Sequence, residues 1–108
     1  MTEGEFERLA TDALEALRQG IEASGCDVDL QEKGDGVIEL EFADGSKMVV
    51  NRHTAAREIW VAARSGGFHF RWQDDGWRGT RDGAELFSVL SKLVSAQGGT
   101  PVVLAPPR

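Results

Sequence analysis

Residues 37–52 read Val-Ile-Glu-Leu-Glu-Phe-Ala-Asp-Gly-Ser-Lys-Met-Val-Val-Asn-Arg, and this stretch decides the fold. Ile38, Leu40 and Phe42 alternate with Glu39 and Glu41, the two-residue period of a strand with one apolar and one wet face. Asp44-Gly45 follows as a hairpin signal, because both residue types tolerate positive φ. Lys47 to Arg52 then runs back as a strand, with Met48 and Val50 on one face and Asn51 on the other. A tight turn between two such strands requires antiparallel pairing.

Upstream, Val28 to Glu32 reads as a modest strand, joined to the hairpin by the Lys33-Gly34-Asp35-Gly36 turn. Before it, Glu3 to Ala23 carries Phe6, Leu9, Ala10, Ala13, Leu14, Leu17 and Ile21 on one helical stripe, and Gly25 offers the stop. Downstream, Glu58 to Arg64 is a strand, Gly66-Gly67 breaks the chain, and Phe68 to Gln73 aligns Phe68, Phe70 and Trp72 on one face. Asp74-Asp75-Gly76 makes another turn before a short strand from Trp77 to Thr80. A second helix is predicted to open at Asp82, with Glu85 closing a capping box, and to bury Leu86, Phe87, Leu90, Leu93 and Val94. Gly98-Gly99 ends it, and the proline-containing stretch Thr100 to Arg108 is expected to run as an extended tail.

Two amphipathic helices need a surface on which to bury their stripes, and one sheet face supplies it. The expected fold is therefore α+β, a two-layer sandwich whose antiparallel sheet of about six strands carries both helices on one face. One domain spanning residues 1–108 accounts for the whole chain.

Composition narrows the function. Eighteen acidic residues against twelve basic ones leave a net charge of −6, which disfavours nucleic acid and anionic membranes as partners. It permits metal cations or a basic protein surface. No apolar run approaches the ~20 residues that cross a bilayer, and the acidic start Met1-Thr2-Glu3-Gly4-Glu5 lacks the pattern of a secretory signal, so a cytoplasmic location is expected. Cys26 is the single cysteine, with no sequence-local base to activate it. No phosphate loop, dinucleotide fingerprint, nucleophile elbow or paired-cysteine motif is present, so a hydrolase or nucleotide enzyme is not expected.

Two constellations remain. At about 100° per residue, Glu7, Glu15 and Glu22 fall on one flank of the first helix, with Glu3 near its start and Asp27 and Asp29 following in the loop and first strand. A loose row of carboxylates suits weak, exchangeable binding of hard cations, whereas Arg18 within the flank opposes them. A solvated acidic helix face gives the same pattern. In the strand from Glu58, Ile59 and Val61 facing inward puts Trp60 on the open side of the sheet, together with Asn51, His69 and Arg71. An indole there either anchors a protein partner or lies across neighbouring strands to cover Val49. His53 and His69 sit on different elements, far from the acidic flank in sequence, and do not suggest a shared metal site.

Asn51 to Trp72, NRHTAAREIWVAARSGGFHFRW, resembles the signature of the frataxin family: an Asn ending one strand, an Ile-Trp pair in the next, then a Ser-Gly turn before an aromatic strand. EFERLATDALEALRQGIE is similar to the first helix of bacterial members, and FADGSKMVVNR and WRGTRDGAELFSVLSKLV to their central strands and last helix. The likeness spans residues 3–97 with the element order intact. It implies weak binding of ferrous and ferric iron (Fe2+/Fe3+) on the acidic ridge, and binding to the cysteine desulfurase and scaffold protein of iron–sulfur cluster assembly. By position, Glu3, Glu7, Glu22, Asp27 and Asp29 take the family's ridge places, while Glu15 joins them only by its helical face. Asn51 and Trp60 take the partner-contacting places. The free protein is expected to be a monomer, with iron-driven oligomers left open. It is expected to have no catalysis of its own; the alternative, a weak ferroxidase at the ridge, is not favoured, because the loose row offers no pre-organised oxidation centre. Arg18, Gln19 and Ala23 stand where bacterial relatives carry a denser acidic cluster, and His53 and Ala55 where the family often has Gln and Pro.

Overall fold

The computed structural model describes residues 1–107; Arg108, at the end of the predicted tail, lies outside them. Helix α1 (Glu3–Ser24) is followed by strands β1 (Val28–Glu32), β2 (Val37–Phe42), β3 (Lys47–His53), β4 (Glu58–Ala63), β5 (Gly66–Gln73) and β6 (Gly76–Gly79), then by helix α2 (Leu86–Gly98). The strands lie side by side in chain order, and each neighbouring pair is antiparallel.

Ile38, Leu40, Met48, Val50, Ile59, Val61 and Phe70, all from the inward side of the sheet, share one buried cluster with residues of both helices. Phe6, Ala10, Leu17 and Ile21 come from α1, and Leu86, Phe87, Leu90 and Val94 from α2. Both helices therefore cover the same sheet face, as the stripes required, and the opposite face is left open. Each large apolar side chain so buried stabilises the fold by about 1.5–3 kcal/mol.

Thr2 caps α1 through a capping box: its hydroxyl accepts from the Glu5 amide, and the Glu5 carboxylate accepts from the Thr2 amide. The signature Thr-x-x-Glu was present in the sequence and marks this start. Gly25 ends the helix in the left-handed region, at φ 67°, as its position predicted.

Helix α2 starts later than expected. Glu85 is its N-cap, with its carboxylate accepting from the Phe87 amide at 2.7 Å and the Ser88 amide at 3.0 Å. Asp82 instead closes a local turn by accepting from the Ala84 amide at 3.0 Å. Arg78 and Glu85 form a backbone bridge, which holds residues 79–84 in a connection rather than a helical turn. The Gly66-Gly67 pair does not break the chain either. It lies within β5, opposite Ala63 and Ala62, so the turn falls on Arg64-Ser65.

The β2–β3 hairpin also differs in its turn. Gly45 alone takes positive φ, at 86°, while Asp44 does not. The Gly45 amide donates to the Phe42 carbonyl, and the Asp44 carboxylate accepts from both the Ser46 amide and hydroxyl. Those bonds, with Arg64 beside them, hold the Asp44 carboxyl down to about 2. The positive φ of both central residues appears instead in the β5–β6 turn, at Asp74 (53°) and Asp75 (60°).

The tail does not simply trail away. Val102 and Leu104 are buried, and their amides donate at 2.8 Å to the hydroxyls of Ser95 and Ser91 on α2. Side-chain hydroxyls thus replace a neighbouring strand and lay the tail along the helix.

Candidate functional site

The acidic flank of α1 is less free than its charge count suggests. Arg18 sits between Glu15 and Glu22, bonding the first closely and the second at 2.8 Å. Its guanidinium holds the Glu15 carboxyl below the usual carboxylate range. The sequence placed Arg18 on this flank as a charge that opposes cations. In the fold it also occupies the oxygens a cation would use.

Glu7 is engaged in a different direction. Its carboxylate accepts from the Thr54 hydroxyl at 3.0 Å and pairs with Arg52 at 3.2 Å. Arg52 also reaches Asp35 at 3.0 Å and the Thr11 hydroxyl at 3.1 Å, with only a tenth of its side chain exposed. A Cβ on Gly36 would come within 2.9 Å of this guanidinium, so glycine there makes room for the tie between α1 and the β1–β2 turn. Glu7 thereby fastens the helix to the 3-10 turn Thr54–Ala56.

Glu3 keeps only a long pairing to Arg57, at 3.9 Å. Asp27 and Asp29 are exposed, and neither forms an ion pair among the described residues. The ridge thus has open ends and a neutralised middle. Among the described residues, no group of three or more His, Cys, Asp or Glu side chains is gathered as metal ligands require.

The open sheet face is built differently. Asn51, Trp60 and His69 are direct cross-strand partners on β3, β4 and β5. Trp60 lies between two imidazoles: His53 at 3.8 Å between centroids and 14° between planes, and His69 at 4.4 Å and 8°. The His53 Nδ1 accepts from the Ala56 amide at 3.3 Å, which fixes that ring while it caps the 3-10 turn.

Glu58 lies beside this stack with its side chain 7% exposed. It accepts from the Trp60 Nε1 at 2.8 Å and from Arg71 at 2.6 Å. Burial pushes the Glu58 carboxyl up, but these two bonds and the nearby charges of Arg71 and His69 outweigh it and hold the carboxyl below its ordinary range. The indole therefore does not project freely; it is a half-buried, oriented plate packed against side chains of both neighbouring strands. Alternation had placed Asn51, Trp60, His69 and Arg71 on this face. His53 and Glu58 have the same parity, two residues from Asn51 and Trp60, and the same rule would have found them.

A frataxin-like domain family model matches residues 1–100. An iron-sulfur cluster assembly protein CyaY of Dechloromonas aromatica is 53% identical over 104 residues, covering 96% of this chain and 99% of that protein. The CyaY of Neisseria meningitidis is 41% identical over 105 residues, covering 97% of each. Among solved structures, a frataxin from Psychromonas ingrahamii superposes with a TM-score of 0.89 at 30% identity, covering 97% of this chain and 99% of that one. Yeast frataxin, at 24% identity, shares the fold with a TM-score of 0.69 over 85% of this chain and 79% of its own. With matches that run nearly end to end in both sequence and architecture, the chain belongs to the frataxin family.

Proposed function

We propose that this protein acts in iron–sulfur cluster assembly as a weak iron binder that docks on the cysteine desulfurase and scaffold protein, regulating cluster formation or supplying iron to it. The observation that carries the reading is the Trp60 plate on the open sheet face, oriented by His53, His69 and Glu58 before any partner arrives. A fixed aromatic surface loses little conformational freedom on binding, which favours its use as an anchor. Iron, as cargo, would be held at the open carboxylates Glu3, Asp27 and Asp29, with Glu22 contributing and Glu7 and Glu15 partly spent on arginines. Weak, exchangeable affinity follows from ligands that are exposed and ungathered. The same acidic ridge would meet a basic patch on the desulfurase. The protein has no catalysis of its own on this reading and works in the cytoplasm.

A second reading, a protein-interaction module without a functional iron site, is favoured by one observation, the Arg18 tie across Glu15 and Glu22. Binding of purified desulfurase and scaffold to Trp60→Ala and to a Glu3→Gln/Asp27→Asn/Asp29→Asn variant separates them. The proposed function predicts that Trp60→Ala loses partner binding, and that the triple variant loses ferrous iron. Full cluster assembly by the triple variant would leave only the interaction module.

A further inference from the structure

Four Asp-Gly steps lie along the chain, at Asp35-Gly36, Asp44-Gly45, Asp75-Gly76 and Asp82-Gly83. In such a step the glycine amide nitrogen can attack the aspartyl side-chain carboxyl, because no Cβ hinders its approach. A succinimide ring forms as the bond from nitrogen to Cγ is made, and a carboxyl oxygen leaves as water. Water then opens the ring, either at Cγ, which restores aspartate, or at the backbone carbonyl, which leaves isoaspartate. A water is lost and another regained, and nothing is oxidised or reduced. The attack needs a glycine N–H that is not held elsewhere and a carboxyl free to swing onto it.

Three of these steps are locked by the fold. The Gly45 amide donates to the Phe42 carbonyl at 2.9 Å, and the Asp44 carboxylate is taken by Ser46 and Arg64. The Gly83 amide donates to the Gly79 carbonyl at 2.9 Å, and Asp82 accepts from the Ala84 amide. Gln73 and Gly76 pair across the two-residue β5–β6 turn, which sets the Gly76 amide on the Gln73 carbonyl. At Asp35-Gly36, by contrast, the Gly36 amide donates to no acceptor among the described residues; only its carbonyl is bonded, to the Arg52 amide. The Asp35 side chain is 96% exposed, and its ion pair with Arg52 is of the kind that contributes little. The Arg52 guanidinium lies so near Gly36 that its charge also favours loss of the amide proton. A cleft of about 160 Å3, lined in part by Glu32, Asp35, Gly36 and Arg52, brings water to the place where the ring would open.

We propose that Asp35-Gly36 is the site at which this protein modifies itself, by isomerisation to isoaspartate, and that the fold suppresses the same reaction at the other Asp-Gly steps. The inference stands apart from iron binding and partner docking. Isoaspartate carries the main chain through Cβ and Cγ. The β1–β2 link therefore gains a backbone carbon, and the carboxylate leaves the side chain that Arg52 holds. Arg52 then keeps its contacts to Glu7 and Thr11 on α1 alone. A change that begins in an exposed turn thus reaches the guanidinium that fastens α1 to that turn.

The test is to age the purified, folded protein in warm, mildly acidic buffer and the same chain in denaturant, and to locate isoaspartate by mass spectrometry of the peptides. Methyl transfer by isoaspartyl methyltransferase counts the total. In the folded protein, Asp35 is expected to form isoaspartate about fivefold faster or more than Asp44, Asp75 or Asp82, the factor by which an ordinary hydrogen bond holds back its amide. In denaturant the preference is expected to vanish. Asp35→Glu, which would need a larger ring but can still meet Arg52, is expected to remove the main product and leave the other sites as they were. Equal rates at all the Asp-Gly steps of the folded protein, or a faster rate at another of them, would overturn the inference. So would folded protein that forms no isoaspartate at Asp35 over a period in which the denatured chain does.

Discussion

The imidazole of His53 lies flat on the indole of Trp60, with centroids 3.8 Å apart, while its Nδ1 accepts the Ala56 amide. One side chain thus caps a turn and orients the half-buried plate. His53→Ala is expected to cost about 1–2 kcal/mol through the lost cap and lost stacking. Trp60 should also move more freely. Urea unfolding reads the first effect, and faster exchange of the Trp60 indole N–H reads the second.

Glu58 gives the face a dependence on acid. Its carboxyl is held below the ordinary value of 4.5, so the folded state loses this proton more readily than the unfolded state does. The stability it supplies is complete above that ordinary value and is lost as pH falls through the lower, folded one. Glu58→Gln is expected to flatten this part of the acid limb in a plot of stability against pH. Glu58→Ala leaves the Trp60 indole and Arg71 without their acceptor and is expected to cost about 2–3 kcal/mol near neutrality.

The tail contributes to stability from the helix side, away from the open sheet face. Leu104 is buried and approaches Gly20 of α1, where an added Cβ would come within 2.9 Å of its Cδ2. Leu104→Ala is expected to lower stability by about 2–4 kcal/mol. Ser95→Ala is expected to cost about 1 kcal/mol by orphaning the Val102 amide. Both should leave partner affinity unchanged at temperatures where the variants are folded.

Arg18 controls how much of the ridge faces a cation. Arg18→Ala removes the cation and frees Glu15 and Glu22, so ferrous iron should bind about two- to fivefold more tightly. Isothermal titration under anaerobic conditions measures this. Unchanged affinity would mean that Glu15 and Glu22 lie off the path of the metal.

Most of the fold was legible because alternation and stripe are local. Ile38/Leu40/Phe42 and the α1 residues from Phe6 to Ile21 name their own faces with no knowledge of neighbours. The start of α2 was misread because Asp82 and Glu85 both carry cap chemistry. A backbone bridge between Arg78 and Glu85, which no side-chain pattern announces, chose between them. The tail's burial depended on Ser91 and Ser95 meeting Val102 and Leu104, which no pattern within residues 100–108 reveals. At the site, the helical wheel placed Arg18 among the glutamates. It could not show that Glu7 is bound to Arg52 and Thr54, residues more than forty positions away. Trp60 was placed on its face by parity alone, while its neighbours in space required the strand register.

The most direct measurement is an anaerobic titration of ferrous iron into isotope-labelled protein, followed residue by residue in the amide NMR spectrum. Broadening is predicted at Glu3, Glu22, Asp27 and Asp29 and their neighbours, weaker at Glu7 and Glu15, and absent from Trp60 and the sheet face. No localised change at millimolar iron, or broadening centred on His53 and His69, would contradict iron binding on the ridge.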